Sequence, residues 1–344
     1  MNMWLTYGLI AVILVIAELI YFRIADKCNI IDKPNERSSH STIVLRGGGI
    51  IFAISILVWM GLQMVHGEWF MVKDYLPFVI GLVLICGISF WDDVKSLPDS
   101  LRMAVQIISI LLMFWSMGLY TAADSWLWTA VIVVVALFFC VGATNFINFM
   151  DGINGITAAY SFAMLLPILL MNRGLGFIEE SYLIVAILGV IVFSIFNFRS
   201  KGKAKCFAGD VGSIGIAFII LFALGRLMLA TKDVTYIVFF LVYGIDGSMT
   251  IFHRIMLHEN LGQAHRKHAY QLMANELKMS HVTVSLIYMM MQLVISLGFI
   301  YLCSNTVLVH WIYLVCAALV LAIMYILFMR KYYHLHEAYL ASLK

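Results

Sequence analysis

Apolar runs of about twenty residues, broken by short polar stretches, repeat along the whole chain. A spanning helix takes ~20 predominantly apolar residues. The runs predict eleven such helices, over 4–24, 47–66, 75–91, 102–120, 126–147, 154–171, 181–198, 212–230, 234–253, 281–303 and 308–329. The runs are continuously apolar, whereas the strands of an outer-membrane barrel alternate polar with apolar positions. The expected architecture is all-α: a polytopic membrane helical bundle of about eleven transmembrane helices, in one integral-membrane domain over 1–344. The first run has neither a basic leader nor a small-residue cleavage site, so it reads as a retained span.

Composition narrows this further. Hydrophobic residues make up 63% of the chain and charged ones 12%, with a mean hydropathy of +0.97. Soluble domains carry ~25% charged residues, which excludes a water-soluble globule and a disordered chain. The six cysteines form no C-x-x-C pair, so neither a zinc site nor a disulfide framework is indicated. Nothing in the chain points to nucleic acid.

The net charge of +3 says little, but its distribution says more. With the N-terminus outside, the connections after spans one, three, five, seven and nine and the tail hold eighteen of the 22 Lys and Arg residues; only Lys73, Arg173, Arg226 and Lys232 fall towards the other face. That asymmetry marks cytoplasmic loops, here about 25–46, 92–101, 145–155, 199–213 and 254–280, with a tail over 330–344. The outer connections are short and carry no site-like residues. The chemistry is therefore expected at the cytoplasmic face of a multi-pass membrane protein.

Five constellations lie on those loops. Asp92-Asp93-Val94-Lys95 places adjacent carboxylates at the end of an apolar span, where repulsion and lost solvation are costly. One can act as base and share a cation while Lys95 neutralises phosphate; a charged helix terminus is the structural alternative. Asn145, Asn148 and Asp151 recur every three residues, hence near one helical face, and Asn154 continues the series past Gly152. Hard oxygens of this kind suit Mg²⁺ and a nucleotide, and inter-helix hydrogen bonding is the alternative. Gly209-Asp210-Val211-Gly212-Ser213 follows the basic stretch from Arg199 to Lys205 and suggests metal and phosphate binding at a helix start.

His253-Arg254 and the later run His265-Arg266-Lys267-His268 offer donors to a pyrophosphate. A zinc site there is disfavoured by the neighbouring cations. Arg46-Gly47-Gly48-Gly49, after the stretch Arg37-Ser38-Ser39-His40, either cradles a phosphate or serves close helix packing. Asp246 stands one or two turns before His253, where it can support the site; Glu18 receives no assignment.

These groups together are the inventory of phosphoryl transfer: metal oxygens, cations for spread negative charge, and a group to handle a proton. In this order and on these loops, Asp92-Asp93, N-x-x-N-x-x-D-G, G-D-x-G-S and A-H-R-x-H-A-Y-Q resemble the polyprenyl-phosphate N-acetylhexosamine-1-phosphate transferases, glycosyltransferase family 4. The last motif looks most like the bacterial branch that initiates O-antigen or capsule-type glycans, and less like the phospho-N-acetylmuramoyl-pentapeptide transferases. The resemblance implies transfer of a HexNAc-1-phosphate from a UDP-N-acetylhexosamine to undecaprenyl phosphate, with Mg²⁺, releasing UMP at the inner membrane of a bacterium. It also leaves room for a homodimer.

Carried over residue by residue, the resemblance puts Asp210 and Asn148 on Mg²⁺, and Asp92, Asp93 and Lys95 at the lipid phosphate. It puts Asn145, Asp151 and Asn154 in or beside the nucleotide pocket, and Arg46, His265, Arg266 and His268 on the pyrophosphate or sugar. Asn154 is a departure, since many bacterial members carry aspartate there. Direct attack by a lipid phosphate oxygen is the expected route, with a covalent aspartyl-phosphate as its rival. The non-enzymatic alternative is a transporter or flippase of a lipid- or sugar-phosphate.

Overall fold

The computed structural model describes residues 3–32, 44–260, 265–304 and 306–342. Each apolar run becomes a helix: α1 (Met3–Lys27), α2 (Ile50–Val65), α3 (Trp69–Val94), α4 (Asp99–Met117), α5 (Trp126–Phe149), α6 (Ile156–Leu175), α7 (Glu180–Asn197), α8 (Gly209–Thr231), α9 (Leu241–Met256), α11 (His281–Leu302) and α12 (Val307–Ser342). A short α10 (Ala269–Asn275) and a two-residue pairing of β1 (Ile31–Asp32) with β2 (Val44–Leu45) complete the described elements named here. Ten of the helical segments are long and apolar enough to cross a membrane.

The exception is α2. Its 16 residues rise ~24 Å at 1.5 Å each, short of the ~30 Å hydrocarbon core. The expected span over 47–66 starts late because its three glycines are used in a packed turn. Gly48 N–H donates to Phe207 O at 2.9 Å and Gly49 N–H to Ala208 O at 3.1 Å. A Cβ on Gly49 would fall on the Cα of Gly212. The glycines thus serve close backbone packing against the start of α8, and the N–H groups of Gly48 and Gly49 are not free to cradle a phosphate.

The ninth span is also irregular. It opens as a 3₁₀ segment, Val234–Phe240, before α9. Backbone groups released at such a change of pitch need partners within the membrane. Gln292 of α11 supplies them, accepting from Val242 N at 3.1 Å and donating to Val238 O at 2.9 Å. Tyr160 of α6 accepts from Tyr243 N at 3.0 Å.

The hub is α8. Its sequence is apolar all round, as befits a helix enclosed by others, and Val211 to Leu224 is buried throughout. On one side Phe78 of α3 stacks on Phe222 with ring centroids 4.1 Å apart. At 36 residues, α12 is ~54 Å long, far more than a bilayer core needs. The expected tail over 330–344 is therefore largely a continuation of this helix.

Candidate active site

The C-terminal end of α3, the N-terminal ends of α4 and α8, and the turn before α2 meet at one end of the bundle. The first N–H groups of a helix lack intrahelical partners and attract negative charge. At α8 both are met from another helix. Asp93, its side chain fully buried, accepts from Asp210 N and Val211 N, each at 3.0 Å. Gly209 permits this approach with φ of +69°, and a Cβ there would lie 2.6 Å from Asp93 Oδ2.

Two arginines thread the acids together. Arg46 Nε lies 2.8 Å from Asp93 Oδ1, and its Nη2 lies 3.7 Å from Asp210 Oδ1. Arg102 Nη1 lies 2.9 Å from Asp92 Oδ2 and 3.4 Å from Asp210 Oδ2. Arg102 also pairs with Asp99, and Asp92 Oδ1 accepts from Leu97 N at 2.7 Å. The order is Asp93, Arg46, Asp210, Arg102, Asp92: three carboxylates separated by two guanidiniums.

Asn148 joins from α5, its Oδ1 accepting from Ser213 Oγ at 2.8 Å. Asn145, one turn earlier, donates to Val141 O at 2.8 Å within its own helix. Asp151 is bonded by the Thr157 hydroxyl. Burial pushes its carboxyl up to about 6, with the nearby charge of Asp93 adding to the rise and Thr157 opposing it.

A cavity of about 680 Å³ opens beside this chain of charges. Arg102, Asn145 and Asn148 line it on one side, and Arg254, His265 and His268 on another. His265 and His268 have ring centroids 5.0 Å apart. Burial, together with the neighbouring His268, Arg254 and Lys267, holds the His265 imidazole down to about 3, so it stays neutral at ordinary pH. His268 caps α10 and is set by Asp246, which lies 3.4 Å from its Nδ1 and also accepts from Ala269 N at 3.1 Å and Tyr288 Oη at 2.5 Å.

Four of the expected site residues lie apart from the cavity or are engaged elsewhere. Lys95 is exposed and makes no ion pair among the described residues. The chain leaves α3 at Lys95 in an extended conformation, φ −148° and ψ 113°, which carries the side chain off the acidic face. Arg102, which the sequence marks only as one more positive charge at a span end, takes the place beside Asp92.

Arg266 is turned away from the cavity. It pairs with Glu276 at 3.0 Å and lies over the Tyr339 ring at 4.2 Å. Arg254 faces the cavity in its stead. Asn154 is buried and is used to hold the basic loop, donating to Arg199 O at 3.0 Å and Ser200 O at 3.2 Å. Asp93, finally, has both oxygens engaged by the α8 start and Arg46.

Glu18 is fully buried behind the glycine turn, accepting from Cys206 Sγ at 3.7 Å. The stretch Arg37-Ser38-Ser39-His40 and Ala264 of the histidine motif lie outside the described residues.

Among the described residues no three His, Cys, Asp or Glu side chains gather as a metal cage. A magnesium ion does not require one. It is commonly held by one or two carboxylates plus substrate phosphates and water. Asp210, with its side chain 17% exposed, and the Asn148 amide oxygen fit that pattern.

A model of the family described as glycosyl transferase family 4 matches residues 75–228. That stretch contains Asp92, Asp93, Arg102, Asn148 and Asp210, but neither Arg46 nor the histidine loop. The chain is 26% identical over 301 residues to the probable undecaprenyl-phosphate N-acetylglucosaminyl 1-phosphate transferase of Bacillus subtilis (strain 168), covering 83% of this chain and 80% of that one. It is 29% identical over 218 residues to the phospho-N-acetylmuramoyl-pentapeptide-transferase of Thermotoga petrophila, covering 59% and 66%. It is 25% identical over 234 residues to the undecaprenyl-phosphate alpha-N-acetylglucosaminyl 1-phosphate transferase of Escherichia coli (strain K12), covering 63% and 60%. In these last two the matched stretch is under two thirds of the relative's own length.

Proposed function

We propose that this chain, whose residues 75–228 match the model of glycosyl transferase family 4, moves a HexNAc-1-phosphate from a UDP-N-acetylhexosamine to undecaprenyl phosphate. The products are undecaprenyl-diphosphate-HexNAc and UMP, and the site faces the cytoplasm of a bacterial cell membrane as an early step of a surface glycan. The observation that carries this reading is the alternating row of acids and arginines at the mouth of a cavity whose inner wall is apolar. Ile85, Ile88, Met103 and Ile214 are in that wall. A water-borne pyrophosphate and a lipid-anchored phosphate both find matching surfaces there.

Phosphoryl oxygens offer a guanidinium the same acceptor chemistry as a carboxylate. Arg46 and Arg102 are thus preset, by the acids that now hold them, to stabilise charge on phosphates in the reaction. A lipid phosphate oxygen attacks the phosphorus that bears the sugar. The bond from that phosphorus to the UMP oxygen breaks, and UMP leaves with the electron pair. Asp92, held by Leu97 N and Arg102, keeps Arg102 oriented through this exchange. Asp93 keeps the α8 start, and with it Asp210, in place. Neutral His265 can meet sugar or phosphate oxygens without holding a metal away by charge. Asp210 and Asn148 are the groups that would hold Mg²⁺, which supplies positive charge to pyrophosphate oxygens when bound.

The test uses purified protein in detergent with UDP-HexNAc donors, undecaprenyl phosphate and Mg²⁺. UMP release that requires both substrates is the expected result. Movement of either substrate between two compartments with no UMP formed would replace the transferase by a transporter. A phosphorylated protein trapped with donor alone would replace direct attack by the two-step route.

A further inference from the structure

Along α4, Arg102 and Gln106 stand four residues apart and so share one face. Both side chains line the cavity. Gln106 is 7% exposed, and its Nε2 has no hydrogen-bond partner among the described residues. The Arg102 Nε is likewise buried and unpartnered, although both terminal nitrogens of that guanidinium are engaged by acids. Buried amide donors are ordinarily paired, because the protein otherwise loses the hydrogen bonds water gave them. Two unpaired N–H donors on one helical face, both beside the same cavity, point to a ligand with acceptor oxygens.

Position narrows the ligand. Gln106 lies one turn, ~6 Å, farther into the span than Arg102. The wall around it carries Ile85, Ile88, Met103 and Ile214. A charged side chain that deep would be costly, whereas a neutral amide can donate without carrying charge into the apolar layer. The matching group is an oxygen at the boundary between a phosphate and a hydrocarbon chain. The soluble donor has no such boundary, and it has the histidine side of the cavity to meet it.

We propose that Gln106, together with the Nε of Arg102, binds the phosphate-ester end of the lipid-anchored acceptor and so distinguishes that substrate from the soluble one. This rests on the transferase reading above, and the experiment separates the two. Initial rates are measured for the full chain and for Gln106→Leu and the isosteric Gln106→Glu, varying undecaprenyl phosphate and UDP-HexNAc in turn. In parallel, thermal unfolding in detergent is followed with undecaprenyl phosphate alone and with UMP alone.

The expected result is a KM for undecaprenyl phosphate raised about ten- to a hundredfold in both variants, the cost of one hydrogen bond to a charged group. The donor KM stays unchanged, and the stabilisation by undecaprenyl phosphate is lost while that by UMP persists. Acceptor KM and acceptor stabilisation equal to those of the parent chain, or a change confined to the donor, overturns the assignment. Parent-like turnover in the variants removes the subsite and leaves the transferase standing. A parent chain that makes no UMP, yet is stabilised by undecaprenyl phosphate only when Gln106 is present, removes the transferase and leaves the subsite. If one variant does not fold, the other carries the same comparison.

Discussion

Asp93 accepts the backbone N–H of Asp210 at 3.0 Å, so one site acid is fixed in space by another 117 positions away. The two carboxylates accordingly have different tasks. Removing one partner of a buried charged set costs about 3–5 kcal/mol, because the group left behind stays uncompensated. Asp93→Ala should therefore lower the melting temperature in detergent and activity together. Asp210→Asn should leave the melting temperature within a few degrees or raise it, since one of three neighbouring negative charges is gone, while turnover falls by about 10²–10³ through lost electrostatic stabilisation. Asp93→Ala with unchanged stability and no turnover would return Asp93 to the reacting atoms.

Arg102 and Lys95 form a matched pair of variants at the same end of the bundle. Arg102 bridges Asp92 and Asp210, whereas Lys95 is exposed. Arg102→Ala is expected to cost about a hundredfold or more in kcat, as loss of one preorganised donor does. Lys95→Ala should stay within about twofold, in line with the small worth of exposed charges. Steady-state rates with both substrates varied check the ordering, and the reverse order would place Lys95 in the site.

His265 makes the chain's stability depend on pH in a definite direction. Its folded value near 3 lies below the ordinary 6.5, so the unfolded chain takes up a proton that the folded one refuses. The associated stability is present above about pH 6.5 and drains away as pH falls towards 3. After allowance for solvent screening this amounts to about 1 kcal/mol by pH 5. Melting curves of the parent chain and of His265→Gln between pH 5 and 8 test it: the parent should lose ground to the variant only on the acid side. Parallel curves would mean that His265 titrates normally.

Gly49 and Gly212 form the tightest backbone approach at the site. Gly49→Ala puts a methyl group onto the Cα of Gly212, and backbone cannot yield as a flexible side chain can. The expected cost is at or above the ~1–3 kcal/mol of ordinary overpacking, read as a lower melting temperature or loss of folded protein from the membrane. A variant as stable as the parent would show that the turn before α2 can move away from α8.

The sequence made the spans legible because a lipid-facing run has few alternatives to a helix. It made the acids legible because charge at a span end is costly and therefore informative. What it could not show was which way side chains turn at the edges of helices. Arg102 reads in sequence like any anchoring cation, and only the closeness of α3, α4 and α8 reveals its two acid partners. Lys95 sits two residues after Asp93, yet the chain leaves the helix there. Arg266 is flanked by His265 and His268, which line the cavity, but it faces α12. The glycine triplet was equally consistent with a phosphate cradle or with packing, and the partners of its N–H groups on Phe207 and Ala208 decide for packing.

The length of α12 makes it a lever. Its last turns hold the segment that carries the histidines: His336 lies 3.0 Å from Glu276, which in turn pairs with Arg266, while Tyr339 lies under the Arg266 guanidinium. The polar end of α12 is thereby tied to the stretch from which His265 and His268 line the cavity, so a load on the C-terminal end of the chain is felt at that wall.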